Sequence, residues 1–212
     1  MHDRAGRLAA RAAERSCSNR EPADCTENSM NLRIATIAAL AAGFVAFGAA
    51  AKEYPIGEAQ EKDGLRVGAV YLQPVEIDKP ELMRDPKDSD IHLEADIKAA
   101  KNNPWGAEEG EWFPGLAVSY KITRLDDKKS VEGPLTPDVA TDGFAYCNNV
   151  KLPGAGGPGR YKLTLTVTSP GENKKWPIAR HVDKENGVPE WFKTFSLDYD
   201  FVYAGTGKKG AY

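Results

Sequence analysis

The sequence predicts an all-β domain, an antiparallel sandwich of immunoglobulin-like type, and three observations carry that reading. Apolar residues recur with period two in one short run after another. Clusters of turn-forming residues separate the runs, and no stretch holds a 3.6-residue apolar period. In chain order, residues 65–72 (Leu-Arg-Val-Gly-Ala-Val-Tyr-Leu) read as a strand. In 90–99, Ile91, Leu93, Ala95, Ile97 and Ala99 alternate with His92, Glu94, Asp96 and Lys98. Leu116, Val118, Tyr120 and Ile122 alternate in the same way, as do Tyr161, Leu163, Leu165 and Val167. Phe195, Leu197, Tyr199, Phe201 and Tyr203 close the series. Alternation at every second residue marks a strand with one buried face. The turn clusters are 102–106, 126–129, 153–159, 169–171 and Asn186-Gly187.

The chain has 212 residues, 41% hydrophobic and 28% charged. That length suits one domain with an appendage. A net charge of −3 supplies no cationic surface for phosphates, which argues against electrostatic nucleic-acid binding. A mean hydropathy of −0.51 excludes a polytopic membrane protein.

One apolar segment stands apart. Met30-Asn-Leu-Arg33 precedes a 14-residue apolar run, 34–47, and then Gly48-Ala-Ala-Ala51. The run is shorter than the ~20 residues a membrane helix needs, and Ala49 and Ala51 fit a signal-peptidase site. The expected organisation is therefore a signal peptide at 30–51, cleaved after Ala51, and a domain at 52–212. Residues 1–29 are then expected to be a disordered lead or the product of a start assigned too far upstream. The domain carries 22 basic and 26 acidic residues, a net charge of −4. Cys147 is its single cysteine, and His92 and His181 are its two histidines. An exported domain with one cysteine has no internal disulfide, so its core must suffice.

Gly154-Ala-Gly-Gly-Pro-Gly159 matches a dinucleotide-binding string, but it leads into a strand rather than a helix and reads as a flexible connection. His181 and Asp183 have no nucleophile elbow beside them. The segment that can carry chemistry is 90–97. On a strand, His92, Glu94 and Asp96 project from one face, about 6.5–7 Å apart in succession. An imidazole and a carboxylate so placed can converge on one ion if other strands add ligands. Taken alone, the segment reads more simply as a solvated polar face.

Several stretches together resemble one family, the periplasmic copper-binding proteins of bacterial high-affinity iron uptake. They are Ala69-Val-Tyr-Leu-Gln-Pro74, Ser89-Asp-Ile-His-Leu-Glu-Ala-Asp-Ile97, Trp112-Phe-Pro114, Val139-Ala-Thr-Asp-Gly143, Asn149-Val-Lys-Leu152 and Arg180-His-Val-Asp-Lys184. The resemblance implies an immunoglobulin-like sandwich, a periplasmic homodimer, a copper site with iron bound nearby, and work beside an inner-membrane iron permease. His92, Glu94 and His181 match positions of the family's metal site. Where the family has Met-Pro-Met-Val-Ala, this chain has Thr136-Pro-Asp-Val-Ala140, which puts Asp138 in place of a thioether. Where the family has Asp-Gly-Pro-His-Tyr-Gly, it has Asp142-Gly-Phe-Ala-Tyr-Cys147, and Ala145 replaces an imidazole. Lys98 stands where a second histidine is usual.

The expected ligand set is thus His92, Glu94 and His181 with Asp138, and Asp142 as a supporting carboxylate. That set suits iron or manganese more than copper, since thioethers prefer copper. Cys147 lies two residues from Ala145, so on a strand it shares that face and offers a soft donor; a buried small residue is the plainer reading. The expected function is periplasmic metal binding (iron, copper) in iron uptake, without enzymatic activity. The alternatives are an oxidoreductase that cycles the metal to assist iron delivery, or a metal-free interaction module with a decayed site.

Overall fold

The computed structural model describes residues 52–207, so the signal-peptide reading of 30–51, Cys17 and Cys25 lie outside the described residues. Nine strands occur in them: β1 (Tyr54–Pro55), β2 (Gln60–Lys62), β3 (Leu65–Leu72), β4 (Ile91–Ala99), β5 (Ala117–Arg124), β6 (Ser130–Ala140), β7 (Gly143–Val150), β8 (Gly159–Thr168) and β9 (Phe195–Tyr203). All pairings are antiparallel, in the order β1-β3-β4-β7-β6-β5-β8-β9, with β2 also on β3. The all-β expectation holds, and the five runs of alternating residues lie on β3, β4, β5, β8 and β9.

β6 makes this curled sheet a sandwich. Its first half, through Leu135, pairs with β5, and its second half, from Thr136, pairs with β7. Pro134 and Pro137 flank the changeover. Lacking N–H donors, they interrupt the ladder where the strand leaves one layer for the other. The sequence did not reveal β6 or β7 as strands. The exposed β6 mixes Gly, Pro and charged residues, and neither strand keeps a clean alternation.

The core lies between the layers. Val67, Ala69 and Tyr71 of β3 and Leu93, Ala95 and Ile97 of β4 face Tyr161, Leu163 and Leu165 of β8 and Tyr199 and Phe201 of β9. Aromatic contacts and buried hydrogen bonds join the layers. Tyr71 packs on Phe201 and Tyr203, and the Tyr199 hydroxyl donates to the Val67 carbonyl at 2.9 Å. Tyr146 of β7 is fully buried; its hydroxyl donates to Phe113 O (2.8 Å) and accepts from Leu116 N (3.2 Å). That fixes the entry to β5 against the other sheet.

The β2–β3 turn is Asp63-Gly64, with φ of 48° and 73°. Paired positive φ values make the tight hairpin whose twist matches its strands. A Cβ on Gly64 would also lie 2.9 Å from the Trp105 ring.

Between β3 and β4 the chain passes through two short 3-10 turns, Pro80–Leu82 and Pro86–Asp88. This connection is tied onto the outer face of the first sheet by Asn149 of β7. The Asn149 side chain donates to Val75 O (2.8 Å) and Arg84 O (3.0 Å) and accepts from Val75 N (3.1 Å). The face of β4 that would otherwise be open to water is therefore partly roofed.

Candidate metal centre

His92, Glu94, Asp96 and Lys98 alternate with the core residues of β4 and so line its outer face. They open into a cleft of about 530 Å³ walled by β3, β4, β6, β7 and the roofing connection. Asp138, Asp142, Ala145, Cys147, Trp112 and Glu53 are among the other residues that line it. The solvated-face reading of β4 fails at His92, while Asp96 and Lys98 further along stay part-exposed. His92 is only 1% exposed, because the connection held by Asn149 covers it.

Strand register sets the positions. Glu94 lies opposite Cys147 and His92 opposite Asn149 across β4–β7, while Asp138 lies opposite Ala145 across β6–β7. Directly opposed residues project from the same face with Cβ atoms about 4.5–5.5 Å apart. Donor atoms of His92, Glu94 and Cys147 all lie within 4.8 Å of one another.

The His92 ring is locked. Its Nδ1 lies 2.9 Å from Asn149 Oδ1. That oxygen already accepts from Val75 N, and the Asn149 amide nitrogen already donates to two carbonyls, so the orientation of the amide is fixed. An amide oxygen only accepts, so Nδ1 must carry the proton. In the neutral ring Nε2 then holds a lone pair, and it faces Glu94 Oε1 at 3.5 Å. An oriented imidazole backed by an amide is the arrangement that metal-binding histidines need.

Burial works against the charged form of both partners in this histidine–carboxylate contact. Burial pushes the His92 pKa down, against opposing pulls from the Asn149 hydrogen bond and the Asp138 charge. Burial pushes Glu94 up to about 7, helped by the negative charges of Glu53, Asp142, Asp138 and Asp96. Glu53 is raised as well, by burial and then by a hydrogen bond to and the charge of Asp142. Burial, with the nearby carboxylates, also raises the Cys147 thiol. The only cleft-lining cation among the described residues, Lys98, is paired with Asp96 at 2.8 Å. The cleft thus gathers acidic groups whose mutual repulsion a bound cation relieves.

The donors fit a transition-metal ion. Nitrogen and oxygen ligands at about 2.0–2.2 Å in tetrahedral geometry stand about 3.4 Å apart, close to the His92–Glu94 separation. A set of imidazole, carboxylate and thiol suits iron, copper and zinc better than calcium or magnesium.

The residues named from sequence fall into two groups. His92, Glu94, Asp138 and Asp142 line one cleft. His181 does not line it: the residue sits in the β8–β9 connection with its side chain 78% exposed, beside Asp183 at 3.9 Å. Sequence reading gave Asn149 no role, although Asn149 and Cys147 stand two apart on one face of β7. Trp112, stacked on Phe144 and Tyr146, was also not foreseen as a cleft wall.

A buried imidazole and carboxylate cleft on an immunoglobulin-like sandwich defines a class of small metal-binding β-domains. Residues 50–205 match the family model described as Fe2+ transport protein, and the chain belongs to that family. It is 55% identical over 168 residues to a UPF0423 protein of Brucella abortus, covering 79% of this chain and 91% of that one. It is 32% identical over 154 residues to the 34 kDa membrane antigen of Treponema pallidum, covering 70% of this chain and 72% of that one. Among solved structures, copper-reconstituted P19 of Campylobacter jejuni is similar at a TM-score of 0.69 and 41% identity, covering 74% of this chain and 99% of that one. A copper-bound variant of FetP from uropathogenic Escherichia coli is similar at a TM-score of 0.67 and 38% identity, covering 73% and 99%.

Proposed function

We propose that this protein binds a transition-metal ion in the β4–β7 cleft as part of bacterial iron uptake, by binding and not by catalysis. The observation that carries the proposal is the locked His92 ring, whose Nε2 lone pair faces Glu94 in a cleft rich in carboxylates. Nε2 of His92 and the Glu94 carboxylate would hold the ion, with Asp138 at the far side and Asp142 tuning Glu94. Membership of the Fe2+ transport protein family and the copper-bound P19 and FetP structures support iron and copper as the ions concerned, and the carboxylates extend the range to manganese.

The proposal includes export to the periplasm through residues 30–51, and delivery of iron to an inner-membrane high-affinity permease. It also includes a homodimer. His181 stands clear of its own chain's cleft, so it can serve as a ligand only to a second copy. Exposed Trp176 and Val182 lie on the same connection, and exposed Val139 and Phe144 line the cleft, which supports apolar surfaces meeting across such an interface.

The test is equilibrium binding of Cu(II), Fe(II) and Mn(II) to the purified protein and to His92→Ala and His181→Ala variants. One ion per chain is expected, with affinity falling at least tenfold in His92→Ala. Binding unchanged in both variants would place any metal elsewhere. Failure to hold any of the three ions would favour the metal-free interaction module.

A further inference from the structure

We infer that Cys147 is the third protein donor of this centre, so that the ion is held by a nitrogen, an oxygen and a sulfur atom of one chain. The inference rests on the metal-binding reading and goes beyond it by assigning a sulfur ligand. Three observations carry it. The Cys147 Sγ belongs to a three-donor group with His92 and Glu94, each donor atom within 4.8 Å of the others. The second member of that group, His92, is itself 1% exposed, and its Nε2 is directed into the cleft by the Asn149 lock. Finally, Cys147 stands outside the hydrophobic core cluster although it is 2% exposed. Its neighbour Tyr146 takes the core side of β7, so Cys147 falls on the outer, cleft-lining row.

A cysteine that served only as a small apolar filler would sit among aliphatic side chains. This one faces an imidazole, and Glu94 lies opposite it in register. Coordination exchanges bonds simply: the S–H bond breaks, the proton leaves to solvent, and an Sγ–metal bond forms with no change in oxidation state. A thiolate moves the site's preference toward soft and borderline ions, copper and zinc among them, and away from manganese.

The experiment uses the full chain carrying Cys17→Ser and Cys25→Ser, which leaves Cys147 as its one thiol. Cobalt(II) is the probe, because thiolate ligation gives it an intense near-ultraviolet charge-transfer band that imidazole and carboxylate do not. The expected result is one bound cobalt with that band. Adding Cys147→Ala should abolish the band and weaken binding at least tenfold, while residual binding stays dependent on His92. Cys147→Ser serves as a second variant, and the spectrum of the parent needs neither to fold. Cobalt bound in a His92-dependent manner without the band overturns the sulfur assignment and leaves the metal centre standing. No cobalt binding, or binding indifferent to His92→Ala, overturns both.

Discussion

At the scale of single residues, Glu94 governs how the centre responds to pH. Metal binding needs a neutral imidazole, an ionised carboxylate and, at Cys147, loss of the thiol proton. Burial already holds His92 below its ordinary value, so the imidazole sheds its proton at lower pH than a free one. Glu94, raised to about 7, is the group that must lose a proton near neutrality. Affinity should therefore climb steeply as pH rises from about 5 to 7, and go on climbing above it because Cys147 also gives up a proton on binding. Calorimetric titration across that range would show a flatter profile in Glu94→Gln, with lower affinity throughout. The metal-free protein should show the opposite trend in stability. A carboxyl raised in the folded state contributes stability that is fully present below its unfolded value of 4.5 and is lost as pH climbs through about 7. Glu94→Gln should then gain about 1–3 kcal/mol over the metal-free parent at pH 8, read from denaturant midpoints. Asn149 acts on the same site through another residue. Asn149→Ala removes the Nδ1 partner and frees the connection at Val75 and Arg84. A drop in metal affinity of about 10–100-fold is expected, with the pH profile broadened because the tautomer is no longer fixed.

Among the elements, the β6–β7 hairpin decides which donors reach the cleft. Asp138 and Ala145 are direct partners on it, and both line the site. Asp138→Met with Ala145→His would place a thioether and an imidazole beside His92 and Glu94. Copper affinity should rise relative to manganese, and competition dialysis would reveal it; an unchanged ratio would mean that positions 138 and 145 do not reach the ion. On the other face of β7, Tyr146 performs a structural task. Tyr146→Phe leaves Phe113 O and Leu116 N short of a buried partner, so a loss of about 1–3 kcal/mol in unfolding free energy is expected. Metal affinity should barely change, because the hydroxyl points away from the cleft.

For the molecule as a whole, the question is whether one copy makes a complete site. The cleft gathers donors from β4, β6 and β7, yet His181 stays exposed on the β8–β9 connection. If a second copy supplies that imidazole, dimer and metal are linked, since a ligand that binds only the assembled form stabilises it. Sedimentation should then show a tighter dimer with copper than without, and His181→Ala should erase the difference. A metal-independent dimer with unaltered affinity in His181→Ala would remove that histidine from the site.

The strands with one buried face were legible from the sequence, since alternation is a local property and burial of one face enforces it. The pairing of His92 with Glu94 was legible for the same reason: two residues apart on a strand means one face. What the sequence could not supply depends on contacts between distant segments. The burial of His92 comes from a connection fastened by Asn149, 57 residues away, and no periodicity encodes that. The strands β6 and β7 were hidden because one of them changes layers midway, so no single face stays buried along its length. Cys147 was legible as a candidate donor two residues from Ala145, but its position opposite Glu94 needed the pairing of β4 with β7. Local pattern thus determined which residues share a face. Which faces meet, and which of them water still reaches, was decided by the tertiary structure alone, because burial and electrostatics depend on neighbours that are remote in the chain.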